Sequence, residues 1–93
     1  MTIGILKLSL FIPQSSSLKD RRMALHSLKA KLRNSFNVAV TQIDDEDKWQ
    51  RVTLAVVGAE NNSASVNSTL SAVVNFVEDF HSVELLNYEM EMI

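Results

Sequence analysis

Two kinds of hydrophobic spacing follow one another along this sequence, and their order restricts the fold more than any other feature. Stretches in which every second residue is apolar are typical of half-buried strands. Stretches in which apolar residues recur every three or four positions are typical of amphipathic helices. The spacing predicts strand, helix, strand, strand, helix and strand in turn, at residues 2–12, 17–34, 36–43, 49–57, 64–80 and 83–93.

This order of elements predicts an α+β fold. A strand–helix–strand unit that occurs twice in succession is typical of the ferredoxin-like β-α-β-β-α-β sandwich. We therefore expect a single domain spanning residues 1–93, in which a four-stranded antiparallel sheet of strand order 4-1-3-2 carries two helices on one face. The second face of the sheet and its two edge strands, the second and the fourth, would stay open.

Alternation within the strands predicts which side chains meet the helices. The inward set of the first strand is Leu6, Leu8, Leu10 and Ile12. The inward set of the last strand is Leu86, Tyr88, Met90 and Met92. Gly58 is expected to end the third strand, because it follows a run of β-branched residues and precedes a polar turn.

The first helix combines a hydrophobic face with a row of positive charges. Residues 17–33 contain six of the nine Lys and Arg residues of the chain. At about 100° per residue, the leucines fall on one side and a basic set falls on an adjoining strip roughly 80° wide. This basic stripe consists of Lys19, Arg22, His26, Lys29 and Arg33. Ser17 and Asp20 have the spacing of a capping box at the start of the helix.

The basic stripe is the candidate nucleic-acid-binding surface of the sequence. The net charge is −2, yet residues 19–33 carry +5, which leaves −7 on the rest of the chain. Such asymmetry can mark the footprint of a phosphate backbone on one face, and a merely solvated helix face is the alternative. Histidine adds positive charge at acidic pH. Secondary candidates for nucleic-acid binding are Arg21, Trp49 and Arg51. The angle of Arg21 on the helix predicts that it projects toward the sheet and reaches past the edge of the core.

Several other classes of site are disfavoured by the residues present. The chain has no cysteine, which excludes disulfides, thiolate metal sites and thiol nucleophiles. The acidic run at 44–47 lacks the alternating ligands and central glycine of a calcium loop, so we expect no metal and no cofactor. His26 and His81 have no partners at metal or catalytic spacing, and the sequence after the first strand lacks the glycine-rich cradle of acylphosphatase. We therefore expect no enzyme activity.

No apolar run approaches the roughly 18 residues of a membrane-spanning helix, and the first twelve residues read as a strand and not as a signal peptide. We therefore expect a cytoplasmic protein without a membrane partner.

Four segments carry recognisable motifs in a fixed order. They are SLKDRR at 17–22, SLK at 27–29, FNVAV at 36–40 and DKWQR at 47–51. Together with Leu25 they resemble the YlxP-like proteins, a bacterial family of unknown function, over nearly the full length. The resemblance implies a ferredoxin-like domain. The genes of that family tend to lie beside translation-initiation and ribosome-maturation genes, which implies a role near RNA or the ribosome.

Two functions are open at this point. The first is a non-catalytic module that binds ribosomal RNA or a ribosomal particle through the basic stripe. Its contacts with phosphates would position the protein on the RNA without reading the base sequence, so no DNA sequence recognition is expected. The second is a homo-oligomeric structural or regulatory domain that binds a protein or a small molecule. Its dimer would form through an edge strand or through the open sheet face, where Ile3, Ile5 and Phe11 point outward.

Overall fold

The computed structural model describes residues 1–13, 17–43 and 50–93. Within these ranges the elements follow the predicted order. They are β1 (Thr2–Phe11), α1 (Leu18–Ser35), β2 (Val38–Gln42), β3 (Arg51–Glu60), α2 (Ser63–Glu78) and β4 (Glu84–Met92). The serine-rich residues 14–16, the acidic run at 44–47 and Trp49 lie outside the described residues, so the metal question at the acidic run and the candidate role of Trp49 stay predictions.

The four strands form one sheet in the order β2-β3-β1-β4, which is the predicted order read from the other edge. Every neighbouring pair of strands is antiparallel. The two central strands, β1 and β3, are ten residues long and pair over their whole length. The predicted α+β class, with four antiparallel strands and two helices, is confirmed.

The hydrophobic core lies between one face of this sheet and the two helices. Leu6, Leu8 and Leu10 of β1 are fully buried there, as the alternation predicted. Burying a leucine or valine side chain contributes about 1.5–3 kcal/mol, so this inner face is the main source of stability. The helices contribute Leu25, Leu28 and Leu32 from α1 and Val66, Leu70, Val73, Val74 and Val77 from α2.

Each helix begins at a side chain that caps its free N–H groups. The Ser17 hydroxyl accepts a hydrogen bond from the backbone N–H of Asp20 at 3.2 Å. The Asn62 side-chain oxygen accepts one from the N–H of Ser65 at 2.9 Å. Both residues have extended backbone, which is the usual conformation of an N-cap.

Replacing Asn62 with alanine is expected to lower the free energy of unfolding by about 1 kcal/mol, because the N–H of Ser65 loses its partner at the start of α2. Urea denaturation followed by circular dichroism measures the change. Asn61→Ala is the matched control. Asn61 is exposed and precedes the cap, so its replacement should leave stability nearly unchanged. Equal losses in both variants would show that the cap contributes nothing.

The prediction that Gly58 ends the third strand is wrong, because β3 continues to Glu60. Gly58 pairs with Gly4 of β1 on one side and with Val38 of β2 on the other. A central strand is held by neighbours on both sides, and this outweighs the weak strand preference of glycine.

The inward set predicted for the last strand is shifted by a β-bulge. Ser9 pairs with Asn87, whereas Leu10 pairs with Leu85, so Leu86 is an extra residue in β4. Leu85 therefore packs against the core, and Leu86 is 41% exposed. A bulge of this kind leaves one residue unpaired and bends the edge strand, which simple alternation does not foresee.

Beyond the bulge the alternation of β4 resumes, but the strand is only partly covered. Met90 packs against the core as predicted. Tyr88 and Met92, also predicted to face inward, are 47% and 37% exposed. The reason is their position on an edge strand, where the helices cover only part of each side chain.

Candidate nucleic-acid interface

The basic stripe lies on the flank of α1 that borders β2. Two contacts fix this orientation. One guanidinium nitrogen of Arg33, Nη2, donates a hydrogen bond to the backbone carbonyl oxygen of Val40 at 2.8 Å. On the opposite flank, the ammonium group of Lys31 lies 5.3 Å from the ring centre of Phe80, beside α2. Lys31 is therefore separated from the basic stripe by the width of the helix.

The α2 side of α1 is closed by aromatic contacts. Phe36, which follows α1, meets Phe76 of α2 in an edge-to-face arrangement with ring centres 5.9 Å apart. Phe76 in turn stacks on Phe80 at 6.2 Å. These pairs add about 0.5–1.5 kcal/mol each beyond the area that they bury. The pair of Phe36 and Phe76 holds the end of α1 against α2, so the flank with the basic stripe faces outward beside β2.

The side chains of the basic stripe differ in their exposure and in the contacts that they make. Lys19, Arg22 and His26 are exposed, and Lys29 is half-buried. Within residues 1–13, 17–43 and 50–93, these four side chains form neither an ion pair nor a hydrogen bond. Arg33 is exposed but commits one nitrogen to β2. Four of the five predicted side chains are thus available to a ligand, and the fifth is partly engaged.

Arg33 also has a structural role that the sequence did not indicate. The N–H of Ile43 donates to the carbonyl of Thr53 on β3, so the odd-numbered residues of β2 bond to the sheet. Val40 is even-numbered, so its carbonyl oxygen points away from β3, toward the open edge of the sheet. By donating to it, Arg33 covers part of an edge strand that would otherwise offer backbone groups to another chain. No periodicity within α1 shows this contact, because it depends on how closely the helix lies to β2.

The acidic side chains of β4 are far from the basic stripe. β4 carries Glu84, Glu89 and Glu91, and it is the opposite edge of the sheet from β2. Three strand spacings of about 4.8 Å separate these two edges. Among the described acids nearer to α1, Asp20 lines a different cleft and Glu60 accepts a hydrogen bond from the hydroxyl of Thr69. Among the described residues, the acids of β4 are therefore separated from the basic stripe by the width of the sheet.

Two of the three secondary candidates, Arg21 and Arg51, do not join the basic stripe. Arg21 is only 8% exposed and lies on the side of α1 that faces the sheet, as its angle on the helix predicted. It lines a cleft of about 370 Å³ with Asp20, His81 and Ser82 at the end of the sheet. Arg51 pairs with Phe11 and is exposed on the sheet face away from the helices. Neither arginine forms a continuous surface with the basic stripe.

The face of the sheet away from the helices holds a second polar group of side chains, which the sequence did not single out. Lys7 and Ser9 of β1, Thr53 of β3, and Asn87 and Glu89 of β4 line a shallow cleft of about 330 Å³. Their side chains point outward from neighbouring positions on three adjacent strands, β3, β1 and β4. The outward alternation of β1 and β3 was visible in the sequence, but the alignment of the strands was needed to bring these residues together.

No helix of the described residues is long and apolar enough to cross a membrane. Among those same residues, no group of three or more histidine and acidic side chains has the geometry to hold a metal ion.

Solved structures of similar shape belong to unrelated sequences. Protein YJCS superposes with a TM-score of 0.59 at 12% identity, over 96% of each chain. SnoaB of Streptomyces nogalater, described as a cofactor-independent oxygenase, superposes with a TM-score of 0.53 at 8% identity, over 99% of this chain and 90% of SnoaB. At such identities the likeness shows a shared fold and nothing about chemistry.

Sequence comparison is more informative. The chain is 27% identical over 82 residues to the uncharacterised protein YlxP of Bacillus subtilis, which covers 88% of this chain and 89% of that protein. Residues 3–90 match the model of a family described as a protein of unknown function, DUF503. The chain therefore belongs to the DUF503 family and is YlxP-like, as its motifs indicated.

Proposed function

We propose that this protein is a non-catalytic module that binds the phosphate backbone of RNA, in ribosomal RNA or a ribosomal particle, through the basic stripe of α1. The observation that carries the proposal is the position of Lys19, Arg22, His26 and Lys29. They lie in one row beside an edge strand, free of acidic partners among the described residues. The gene neighbourhood implied by the family resemblance supports a partner near translation, and a cytoplasmic location is part of the proposal.

The dimensions of the basic stripe suit a backbone contact. From Lys19 to Arg33 the helix rises by about 21 Å, at 1.5 Å per residue. Side chains spread over this length can reach several consecutive phosphates without entering a groove. Phosphate contacts set position and orientation and carry no sequence information, so the expected binding depends on RNA shape and on salt.

Stacking of bases on the sheet is a poorer alternative. Domains that bind RNA on a sheet use aromatic side chains on the central strands. Among the described outward positions of β1 and β3, Phe11 is the single aromatic residue, and it lies at the end of β1. If RNA binds, the helix is the better surface.

Salt-dependent binding tests the proposal. The probe is a fluorescently labelled RNA duplex of about 20 base pairs, titrated at about 50 to 200 mM salt. Four or five phosphate contacts predict a slope of log K against log [salt] of about −3 to −4. In the variant Lys19→Gln/Arg22→Gln the slope should fall by about 1.4 to 1.8, because two contacts are lost.

A matched control distinguishes an effect of the basic stripe from an effect of the net charge of the protein. Lys31→Glu changes the net charge by the same two units but lies on the α2 flank. It should leave the slope unchanged. Arg33 stays unaltered in both variants, because its bond to β2 would add a stability effect. Binding that is absent in the wild type, or equally weakened in both variants, contradicts the proposal.

Ribosomal particles are tested with the same variants. Purified ribosomal subunits are mixed with the protein and pelleted, with and without prior ribonuclease treatment. Co-sedimentation that is lost after ribonuclease and reduced in Lys19→Gln/Arg22→Gln supports RNA contact. Co-sedimentation that survives both changes indicates protein contacts instead.

A second candidate function is a homo-oligomeric structural or regulatory domain, with a protein or small-molecule partner. The observation that favours it is the uncovered sheet face with its shallow polar cleft. We also propose the ferredoxin-like class for the fold, supported by the order of elements and by the strand order β2-β3-β1-β4. A stable oligomer in solution that has no affinity for the RNA duplex would favour this candidate over the RNA-binding module.

A further inference from the structure

The side of the sheet away from the helices has no covering layer among the described residues. We call it the outer face. Along β1 its residues are Ile3, Ile5, Lys7, Ser9 and Phe11, and along β3 they are Ala59, Val57, Ala55, Thr53 and Arg51. β2 contributes Ala39 and Thr41, with Ile43 just beyond its end, and β4 contributes Asn87, Glu89 and Glu91.

One end of the outer face, where Ile3 and Ile5 pair with Ala59 and Val57, is apolar. Ile5 and Val57 lie opposite each other and are half-buried, although only their neighbours in the sheet shield them. Strands that are covered on both faces read as nearly continuous hydrophobic runs. Residues 3–6 of β1 (IGIL) and 54–59 of β3 (LAVVGA) read in this way. This end of the two central strands thus has the composition of strands with a layer on each side.

The charges of the outer face are distributed unevenly over its strands. The cations, Lys7 and Arg51, lie on the central strands. The acids Glu89 and Glu91 lie on β4. The described outer positions of β2 are uncharged. One edge of the face is therefore acidic, and the other is uncharged over its described positions.

We propose that the outer face is the interface of a homodimer, in which two sheets pack face to face around a two-fold axis parallel to the strands. This axis runs between β1 and β3, so β1 of one copy lies over β3 of the other. The acidic β4 then lies over the uncharged β2. The opposite choice, an axis perpendicular to the strands, stacks β4 on β4 and brings Glu89 against its own copy, which like-charge repulsion disfavours.

The size of the outer face suits this assembly. Strands about 4.8 Å apart, of ten residues in β1 and β3, nine in β4 and five in β2, give a surface of roughly 540 Å². Two copies would bury ~1,100 Å² in total, just above the ~1,000 Å² that a specific interface needs. Lys7 pairs in register with Glu89 of its own chain, so a carboxylate lies next to the Lys7 ammonium group when the second copy covers it.

Pairing through an edge strand is less favourable. Arg33 occupies the carbonyl of Val40 on the open edge of β2. β4 carries a bulge and Glu89 and Glu91, which are features that block edge-to-edge pairing. The helices lie on the other side of the sheet, so a dimer through the outer face leaves the basic stripe open. The dimer and the RNA proposal can therefore fail independently.

Light scattering after gel filtration tests the dimer. The wild type is expected to be dimeric. Ile5→Glu places a carboxylate in the apolar end of the interface, in register with Glu91 of its own chain, and should raise the dissociation constant at least about 30-fold. Met23→Glu is the matched control, because Met23 is an exposed apolar residue on α1, in the helical layer. A monomeric wild type, or a folded Ile5→Glu protein that dimerises normally, overturns the proposal.

Cross-linking tests the orientation and does not depend on whether Ile5→Glu folds. The chain has no cysteine, so introduced thiols react without background. Packed sheets are about 10 Å apart, which exceeds the reach of a disulfide but suits a short bis-maleimide. Mixed Thr41→Cys and Glu89→Cys proteins should give mainly the product that joins the two variants. Products that join Glu89→Cys to itself overturn the proposed axis.

Discussion

Replacing Leu54 with alanine is expected to lower the free energy of unfolding by about 2–5 kcal/mol. Leu54 is fully buried in the centre of β3, directly opposite Leu8 of β1. Removing its three outer carbon atoms loses the hydrophobic contribution and leaves a cavity against the helices. A domain of this size has about 5–15 kcal/mol of stability in total, so a large fraction is lost. Denaturant unfolding at a fixed protein concentration measures the change, since any dimer adds to the stability.

Leu86→Ala is the matched control for this experiment. The chemical change is the same and the residue is also on a strand, but Leu86 is the extra residue of the bulge and is 41% exposed. We expect its loss to stay below about 1 kcal/mol. If Leu86→Ala is as damaging as Leu54→Ala, the placement of the bulge is wrong and Leu86 points to the core, as the alternation of β4 predicted.

Gly4→Ala is expected to destabilise the protein by about 1–3 kcal/mol through overpacking. An added Cβ would lie 2.3 Å from Cγ1 of Val66 and 2.9 Å from Cδ1 of Leu70. Both side chains are fully buried on α2, and valine in a helix has one strongly preferred rotamer. They cannot move aside, so α2 must shift away from the sheet. Thermal and urea unfolding give the size of the loss.

Gly58→Ala provides a control at the facing position. Gly58 pairs in register with Gly4, but an added Cβ there would find its nearest atom, Cγ1 of Val38, at 3.6 Å. This is an ordinary contact. Replacing glycine by alanine also reduces the freedom of the unfolded chain, so Gly58→Ala should be neutral or stabilise by up to about 1 kcal/mol. Similar losses in the two variants would contradict the close approach of α2 to Gly4.

The two surfaces proposed for function lie on different layers of the molecule. The basic stripe belongs to the helical layer and borders β2, and the outer face belongs to the sheet. In the proposed dimer the two copies of α1 would be on opposite sides, each with an open basic stripe. A dimer would then offer two separated phosphate-binding surfaces, which increases avidity for a large RNA if both can engage together.

Much of the candidate site was predictable because it depends on one helix. Once the leucines identify the buried side of α1, the helical repeat fixes the side chains of the basic stripe. The capping hydroxyl of Ser17 and the burial of Arg21 follow from the same local geometry, and both are observed. The bond from Arg33 to Val40 was not predictable, because it joins two segments whose distance the sequence does not specify.

The errors in the strands have a similar cause. Gly58 has a weak intrinsic preference for a strand, yet the strands on both sides of it hold it in the sheet. Leu86 fits the alternation of β4, yet the register with β1 shifts between Ser9 and Leu10 and turns Leu86 to solvent. In each case the pairing partner, and not the residue itself, sets the outcome.

The sequence by itself determined the order of the elements, the inner face of β1 and the side chains that share one flank of α1. These depend on backbone repeats of 2 and 3.6 residues, which act within a segment. The tertiary structure decided where Arg33 reaches, where β4 bulges and which polar groups meet on the outer face. Those features depend on register and on the distance between layers, which only the packing of the whole chain sets.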